Sequence, residues 1–398
     1  MRLIVISDVF PPIRNSGAVQ VRDLCAELFR LGHDVLAVVP NPGSTSHFSL
    51  EKLEGVQVLR LSIPLPRRAG YIGRALSEAQ MPFYMAFHFL TGPLRNDQFD
   101  GIIWYSPSIF HGPFVFVLRK LNRCPSYLII RDIFPEWAVD LGLLRRGIAF
   151  WFLKAVAAFQ YWNANVIGVQ SEGNVGYFRN WTRPRRRRIE VLPNWLASPG
   201  QAPCSIKICD SILANRTIFV YAGNMGVAQS VSIFLDVAER LRDRVDVGFL
   251  FVGRGNEVLD LRSRAENLKL RNVLFCDEIE PDEIPALYAQ CHVGLIALDV
   301  RHRTHNIPGK FLTYMQCGLP VLARVNPDND LTRIVRAGNV GLVSESDSAD
   351  LLFWLACELL TWIEADPGIS ARCRAIFSER FSVTQVAGVV IDALNSAQ

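Results

Sequence analysis

Long apolar runs are missing from this chain. None of its 398 residues belongs to an uninterrupted apolar stretch of the ~18–20 residues that a membrane-spanning helix needs. The apolar segment Phe150 to Trp162 carries Lys154 and Gln160. The opening run Met1-Arg2-Leu3-Ile4-Val5-Ile6-Ser7 is too short for a signal peptide and meets Asp8 at once. Paired cysteines are missing as well. The nine cysteines are scattered, mostly in apolar surroundings, and Cys204 and Cys209 are too isolated to suggest zinc. Reduced, buried thiols in a reducing compartment are expected. No carboxylate cluster of the Asp-x-Asp kind stands out as a metal site, which predicts a metal-independent protein.

Half the residues are apolar and a fifth are charged, the composition of a globular chain. Its length fits two domains of about 150–200 residues each. Charge divides unevenly between the halves. Residues 1–200 hold 23 Lys and Arg against 14 Asp and Glu, whereas the remainder holds 19 against 24. A basic half suggests one domain facing an anionic ligand or surface.

Apolar, β-branched runs alternate with helical periodicity. Leu3–Ser7, Val35–Val39, Val56–Leu61, Ile102–Tyr105, Tyr127–Ile130, Val166–Val169 and Ile189–Leu192 predict strands, several apolar on both faces as buried parallel strands are. Ser16 is the expected cap of the first helix and Gly32 its stop. The pattern pauses over the polar stretch 193–215. It resumes with Thr217–Gly223, Val247–Gly253, Val273–Phe275, Val293–Leu298, Pro320–Val325 and Gly341–Val343, then helices near 349–365 and 383–396. The predicted class is α/β, with two doubly wound domains facing across a cleft. The boundaries are 1–198, a linker at 199–214, a second domain at 215–380, and a last helix at 381–398.

Glycine turns sit at the carboxyl ends of these strands. Asp8-Val9-Phe10-Pro11-Pro12 leads to Ser16-Gly17, Tyr221-Ala222-Gly223-Asn224-Met225-Gly226 follows the first strand of the second series, and Gly253-Arg254-Gly255 follows the next. Glycine lets a backbone approach a ligand closely, and helix N-termini attract phosphate. Each turn alone is also compatible with an ordinary strand–helix connection. His305-Asn306-Ile307-Pro308-Gly309-Lys310 opens a short helix that Gly318-Leu319-Pro320 closes. That order puts a helix N-terminus and Lys310 on one rim of a parallel sheet, an arrangement that suits a phosphorylated ligand. Arg131-Asp132-Ile133-Phe134-Pro135-Glu136-Trp137 follows another strand, and the Arg131–Asp132 pair either faces a ligand or braces its loop.

The motifs at 8–18, 131–142, 221–230 and 305–323 together resemble the retaining, family-4-type glycosyltransferases of the GT-B fold. Within that family the segment Arg131 to Gly142 is similar to a bacterial subgroup of O-antigen and capsule transferases assigned to N-acetyl-L-fucosamine. The resemblance implies two Rossmann-like domains, an N-terminal one for the acceptor and a C-terminal one for the nucleotide sugar, with the last helix returning to the first. It implies Gly17, Gly223, Asn224, Gly226, Arg254 and Lys310 around the donor diphosphate. Glu278, Ile279 and Thr313 would lie at the nucleoside, and Asp132, Arg131 and His305 at the catalytic centre. The chain departs from the family in four places. Asn224 and Gln229 stand where relatives carry cations, and His305 and Thr313 replace two glutamates with seven residues between them. His305 can donate to a sugar or phosphate and Thr313 can bond a ribose hydroxyl; alternatively His305 belongs only to a basic loop.

The implied reaction moves an amino-deoxy sugar from a UDP-sugar to an undecaprenyl-diphosphate-linked saccharide, in lipopolysaccharide O-antigen or capsule biosynthesis. UDP-sugar is a substrate and no cofactor is implied. Two other readings are a nucleotide-sugar 2-epimerase and a non-catalytic accessory subunit. Arg185, Arg186, Arg187 and Arg188, with the aromatic stretches 81–94 and 114–121, suggest contact with an anionic membrane. The arginines can equally be a solvated face and the aromatics core. No nucleic-acid recognition motif accompanies them. The expected location is cytoplasmic, peripheral on the inner face of the cytoplasmic membrane.

Overall fold

A computed structural model describes residues 1–13, 15–64, 70–140, 142–181, 187–226, 229–298 and 307–397. The chain divides into two compact units, Met1–Pro193 with Val383–Gln398, and Asn194–Ser382.

Unit 1 holds strands β1 (Arg2–Ile6), β2 (Asp34–Pro42), β3 (Phe48–Leu53), β4 (Val56–Ile63), β5 (Gly101–Ser106), β6 (Ser126–Ile130), β7 (Val166–Val169) and β8 (Arg188–Val191). Its helices are α1 (Ser16–Arg30), α2 (Gly70–Thr91), α3 (Gly112–Asn122), α4 (Glu136–Asp140), α5 (Ile148–Trp162) and α6 (Glu172–Val175). The strand order is β3-β4-β2-β1-β5-β6-β7-β8, parallel except for the antiparallel β3–β4 pair. Every residue of β5 and β6 is buried, as helices on both faces require. The sequence pattern missed β3, which is exposed along most of its length and shows no apolar face. It also missed α2, whose interior carries Pro82. Asn15, not Ser16, caps α1: its side chain accepts from the Ala18 N–H at 2.8 Å.

Unit 2 holds β9 (Thr217–Ala222), β10 (Val247–Val252), β11 (Val273–Cys276), β12 (Val293–Ala297), β13 (Val321–Arg324) and β14 (Gly341–Ser344). Among its helices are α7 (Ser232–Arg240), α8 (Val258–Asn267), α9 (Ile284–Tyr288), α10 (Gly309–Cys317), α11 (Asp330–Gly338), α12 (Ala349–Ala365) and α13 (Ile369–Arg380). The sheet is parallel, in the order β11-β10-β9-β12-β13-β14. The last helix, α14 (Val383–Ser396), packs on α1 and β6 of unit 1, where the Thr384 hydroxyl donates to Glu27 at 2.5 Å. Among the described residues no helix is long and apolar enough to cross a membrane. The nine thiols are unpaired; Cys25, Cys124 and Cys373 are buried and Cys209 is exposed.

Each sheet reverses its winding once. In unit 1 the reversal falls between β1 and β5, and in unit 2 between β9 and β12. The crevice outside the strands' carboxyl ends at such a switch point is where doubly wound folds bind ligands. In unit 2, α10 is seated there by Tyr314. Its buried hydroxyl lies 3.0 Å from the Val220 carbonyl of β9 and 3.2 Å from the Leu295 carbonyl of β12, and donates between them. The ring lies over Gly294, where a Cβ would fall 2.5 Å from ring carbons. Gly294→Ala should therefore destabilise unit 2 by about 1–3 kcal/mol through forced displacement of the ring. Urea unfolding of the full chain reads this, and an unchanged profile would show that α10 does not depend on the missing side chain.

Candidate active site

Unit 2 gathers its glycine loops at the switch point. The Gly223 N–H donates to the Val252 carbonyl at 2.8 Å, and the Met225 N–H to the Arg254 carbonyl at 2.7 Å. Gly253 has φ +138°, and a Cβ there would lie 2.1 Å from the Gly223 oxygen, so only glycine lets the two loops meet. Lys310, in the first turn of α10, lies against Gly223: a Cβ on Gly223 would come within 2.9 Å of Nζ. The ammonium also stands 4.7 Å from the centroid of the Tyr221 ring. Burial pulls its pKa down to about 8. This leaves a mostly buried cation beside the free N–H groups of a helix start, a site arranged for an anion.

A cavity of about 230 Å³ adjoins Lys310, and Gly223, Glu278, Ile279, Lys310 and Thr313 share its wall. Ile279, Pro281 and Ile284 make one side apolar, while Glu278 and Thr313 supply hydrogen-bonding groups. The other residues expected at the diphosphate are placed differently. Arg254 is largely exposed and pairs with Glu278 at 3.3 Å. Asn224 is exposed and donates to Gln229 at 2.9 Å, while Gln229 also accepts from the Gly226 N–H at 3.2 Å. Gln229 thus holds the turn closed. The Gly223, Met225 and Gly226 N–H groups are engaged inside the loops, whereas Lys310 lines the cavity at the start of α10. His305 lies outside the described residues.

Unit 1 has its own polar cluster at the carboxyl ends of β1, β5 and β6. Gly17 sits at the start of α1, 3.2 Å (from its would-be Cβ) from the Val9 side chain and 3.4 Å from the Tyr105 hydroxyl. Arg131 is buried. It donates to Gln20 at 2.8 Å, and its guanidinium stands 5.7 Å from the centre of the Tyr105 ring. The Tyr105 hydroxyl donates to the same Gln20 oxygen at 3.0 Å. Arg131 therefore frames the site, and Asp132 beside it opens to solvent. Burial raises the Asp132 carboxyl above its usual value while Arg131 opposes the shift.

The sequence reading did not single out His111. It immediately precedes α3 and is completely buried, with neither ring nitrogen hydrogen-bonded. Nε2 lies 4.0 Å from Asp8, whose Oδ1 is also buried without a partner. Two facing polar groups with unmet hydrogen-bonding capacity are costly in a protein interior. The placement of a histidine just after a central strand, followed by Gly112-Pro113 at a helix start, was the available signal.

Among the described residues no group of three or more His, Cys, Asp or Glu side chains is arranged to hold a metal. Asp328-Asn329-Asp330 has Asp-x-Asp spacing, but Asn329 caps α11 and Asp330 is buried in an ion pair with Arg333. Of the arginines expected at a membrane, Arg187 is buried and donates to the Trp162 carbonyl at 2.9 Å, and Arg188 pairs with Glu190 at 2.7 Å. Arg185 and Arg186 lie outside the described residues.

Two doubly wound units with polar groups at their switch points define a sugar-transferring enzyme class once family comparisons are added. Residues 16–195 match the glycosyl transferase 4-like domain, and residues 216–361 match the glycosyl transferases group 1 domain. The protein is a glycosyltransferase. It is 24% identical over 327 residues to a protein of Escherichia coli K12 named as the colanic acid biosynthesis glycosyl transferase WcaI, covering 74% of this chain and 76% of that one. Among solved structures, Anabaena Alr3699/HepE in complex with UDP matches all of both chains at a TM-score of 0.64 and 15% identity. WaaG, described as a glycosyltransferase involved in lipopolysaccharide biosynthesis, matches 98% of this chain and 99% of its own at 0.60 and 15%. The fold is GT-B, and the chain is a glycosyltransferase of the family-4 type.

Burial of Lys310 has a measurable consequence. A lysine whose folded pKa lies below its unfolded value of 10.5 penalises the fold while it is charged. The penalty is complete below about pH 8 and fades as pH rises towards 10.5. Lys310→Met, which keeps the packing, should therefore stabilise the protein at pH 7, by up to about 2 kcal/mol after allowing for solvent at the cavity mouth. The gain should shrink by pH 9.5. Denaturation at both pH values checks this, and a variant less stable than wild type at pH 7 would refute the penalty.

Proposed function

We propose that the enzyme transfers a sugar from a UDP-sugar to a lipid-linked saccharide in surface-polysaccharide biosynthesis, with retention of anomeric configuration. The supporting observation is Lys310, a largely buried ammonium at a helix N-terminus, next to a cavity with one apolar and one hydroxyl-binding side. That pairing of features fits a nucleoside diphosphate: the base against Ile279 and Ile284, the ribose near Thr313 and Glu278, and the diphosphate at Lys310 and the start of α10. The relative with bound UDP and the relatives named for colanic acid and lipopolysaccharide support the same direction. N-acetyl-L-fucosamine as the sugar and undecaprenyl-diphosphate saccharide as the acceptor rest on the likeness of Arg131–Gly142 to that transferase subgroup.

In this reaction the bond from the donor's anomeric carbon to the β-phosphate oxygen breaks, and the acceptor hydroxyl oxygen bonds that carbon from the same face. The hydroxyl proton passes to the departing phosphate oxygen. Negative charge grows on the diphosphate as the bond breaks, and Lys310 and the α10 N–H groups stabilise it. His111 and Asp8 are suited to bonding sugar hydroxyls, with Asp132 at the open edge of that cluster. No step requires a metal, and peripheral attachment to the cytoplasmic face of the membrane would bring the enzyme to its acceptor.

A panel of UDP-sugars with a short lipid-diphosphate saccharide, with and without EDTA, tests the reading. Consumption of one UDP-sugar with release of UDP, insensitive to EDTA, is expected; failure to bind UDP at all would defeat it. Lys310→Ala should weaken UDP binding by about 1.5–3 kcal/mol, the range for a lost charged hydrogen bond, as measured by calorimetry. By contrast, His111→Ala should leave UDP affinity within about twofold while turnover drops about tenfold to a hundredfold. Equal losses in both quantities would remove His111 from the sugar.

A further inference from the structure

Three helices on one side of the unit 1 sheet expose apolar side chains that a globular interior would hold. On α5, Ile148 is 93% exposed, Trp151 62% and Phe152 59%. Leu143, just before α5, is 72% exposed, and Phe83 and Phe87 of α2 are 64% and 58%. The helices are neighbours: Phe89 of α2 packs on Phe114 of α3, and Phe116 of α3 on Phe159 of α5. The aromatic stretches 81–94 and 114–121 are thus split between core and surface. Met81, Met85, Phe89, Phe114, Val115 and Leu118 are buried. The more exposed apolar stripe is on α5.

Charge on this face is mainly positive. Residues 79–96, 101–131 and 141–171 contain no Asp or Glu, and they carry Arg95, Arg119, Lys120, Arg123, Arg145, Arg146 and Lys154 among their cations. Where α5 ends, a cavity of about 700 Å³ is lined by Phe116, Trp162, Arg119, Lys120, Arg123 and Asn163, with Asp100 also on its wall; the Asp100 carboxylate accepts from the Arg2 N–H at 2.7 Å. Asn163 is 1% exposed, and its Oδ1 has no partner. Lys120 stands over the Phe116 ring at 5.6 Å. Exposed Trp, Phe and Ile beside arginine and lysine, with a basic recess at one end, match the boundary between headgroups and acyl chains.

We infer that the α5 face docks on an anionic lipid surface, with Ile148, Trp151 and Phe152 entering the acyl boundary and a headgroup phosphate taken at the Arg119–Lys120–Arg123 recess. A second copy of this chain is a poorer occupant, because a symmetric contact would set a mainly cationic face against itself, and the nearby carboxylates Asp100 and Glu136 are already engaged by the Arg2 N–H and Lys154. The arrangement also links the surface to the site. Lys154 of α5 donates at 2.8 Å to Glu136, the first residue of α4, which follows the segment that begins with Arg131 and Asp132. The inference deepens the reading of the acceptor as lipid-linked and rests on it.

The test uses the full chain and two kinds of vesicle, phosphatidylglycerol with phosphatidylcholine and phosphatidylcholine alone. Ile148→Ser, Trp151→Ser and Phe152→Ser combined should lower partition onto the anionic vesicles about tenfold or more. Lys120→Gln, Arg145→Gln and Arg146→Gln combined should lower it about tenfold at low salt and flatten its salt dependence. Both variants should keep UDP affinity and turnover on a short soluble acceptor, which shows that they fold. Three results would overturn the inference: wild type that ignores both vesicles, an apolar variant that binds like wild type, or a wild-type dimer that the apolar variant dissociates. Loss of UDP binding in the wild type would instead overturn the donor reading, so the two failures are distinguishable.

Discussion

The seat of α10 rests on an aromatic ring lying flat over a backbone that has no side chain. Tyr314 over Gly294 allows the helix to approach the sheet, and the shared hydroxyl ties it to β9 and β12, the two strands that part at the switch point. The first turn of α10 is thereby aimed at the loop after β9. Lys310 can then be buried against Gly223 and Tyr221, where a flexible lysine would otherwise seek water. The low dielectric that makes its charge unfavourable in isolation also strengthens its attraction for an anion. Strain in the empty state and affinity in the filled one have the same physical origin.

Unit 1 solves its site differently. Arg131 and Tyr105 both donate to the Gln20 side-chain oxygen, whereas Asp8 Oδ1 and the His111 ring face each other unsatisfied. One unit sets a largely buried ammonium at a helix terminus; the other sets a buried histidine and a carboxylate near a buried arginine.

Most of the architecture was legible because buried parallel strands are apolar on both faces, a pattern few other elements share. Strands exposed along their length, such as β3, and helices interrupted by proline, such as α2, carry no such signal. The glycine turns and Lys310 were legible as motifs, but the division of labour within them was not. Gln229 and the Gly223 and Met225 N–H groups are consumed inside the loops, and only distances reveal it. His111 sits between Phe110 and Gly112-Pro113-Phe114, a setting that reads as core. Its isolation from partners is a property of three dimensions. Within the run of arginines, Arg187 is buried and donates to the Trp162 carbonyl, a placement that charge in sequence does not reveal.

The return of α14 makes unit 2 an insertion within unit 1 in the order of synthesis. Residues 194–382 form a continuous unit that can fold as it leaves the ribosome, but unit 1 must wait for a helix made after unit 2 is complete. Until then the groove on α1 and β6, and Gly101 beneath Leu394, stay uncovered. The nascent chain thus carries an open apolar seam on its first-made half for the whole time its second half is translated, and this is the interval in which a chaperone would matter most.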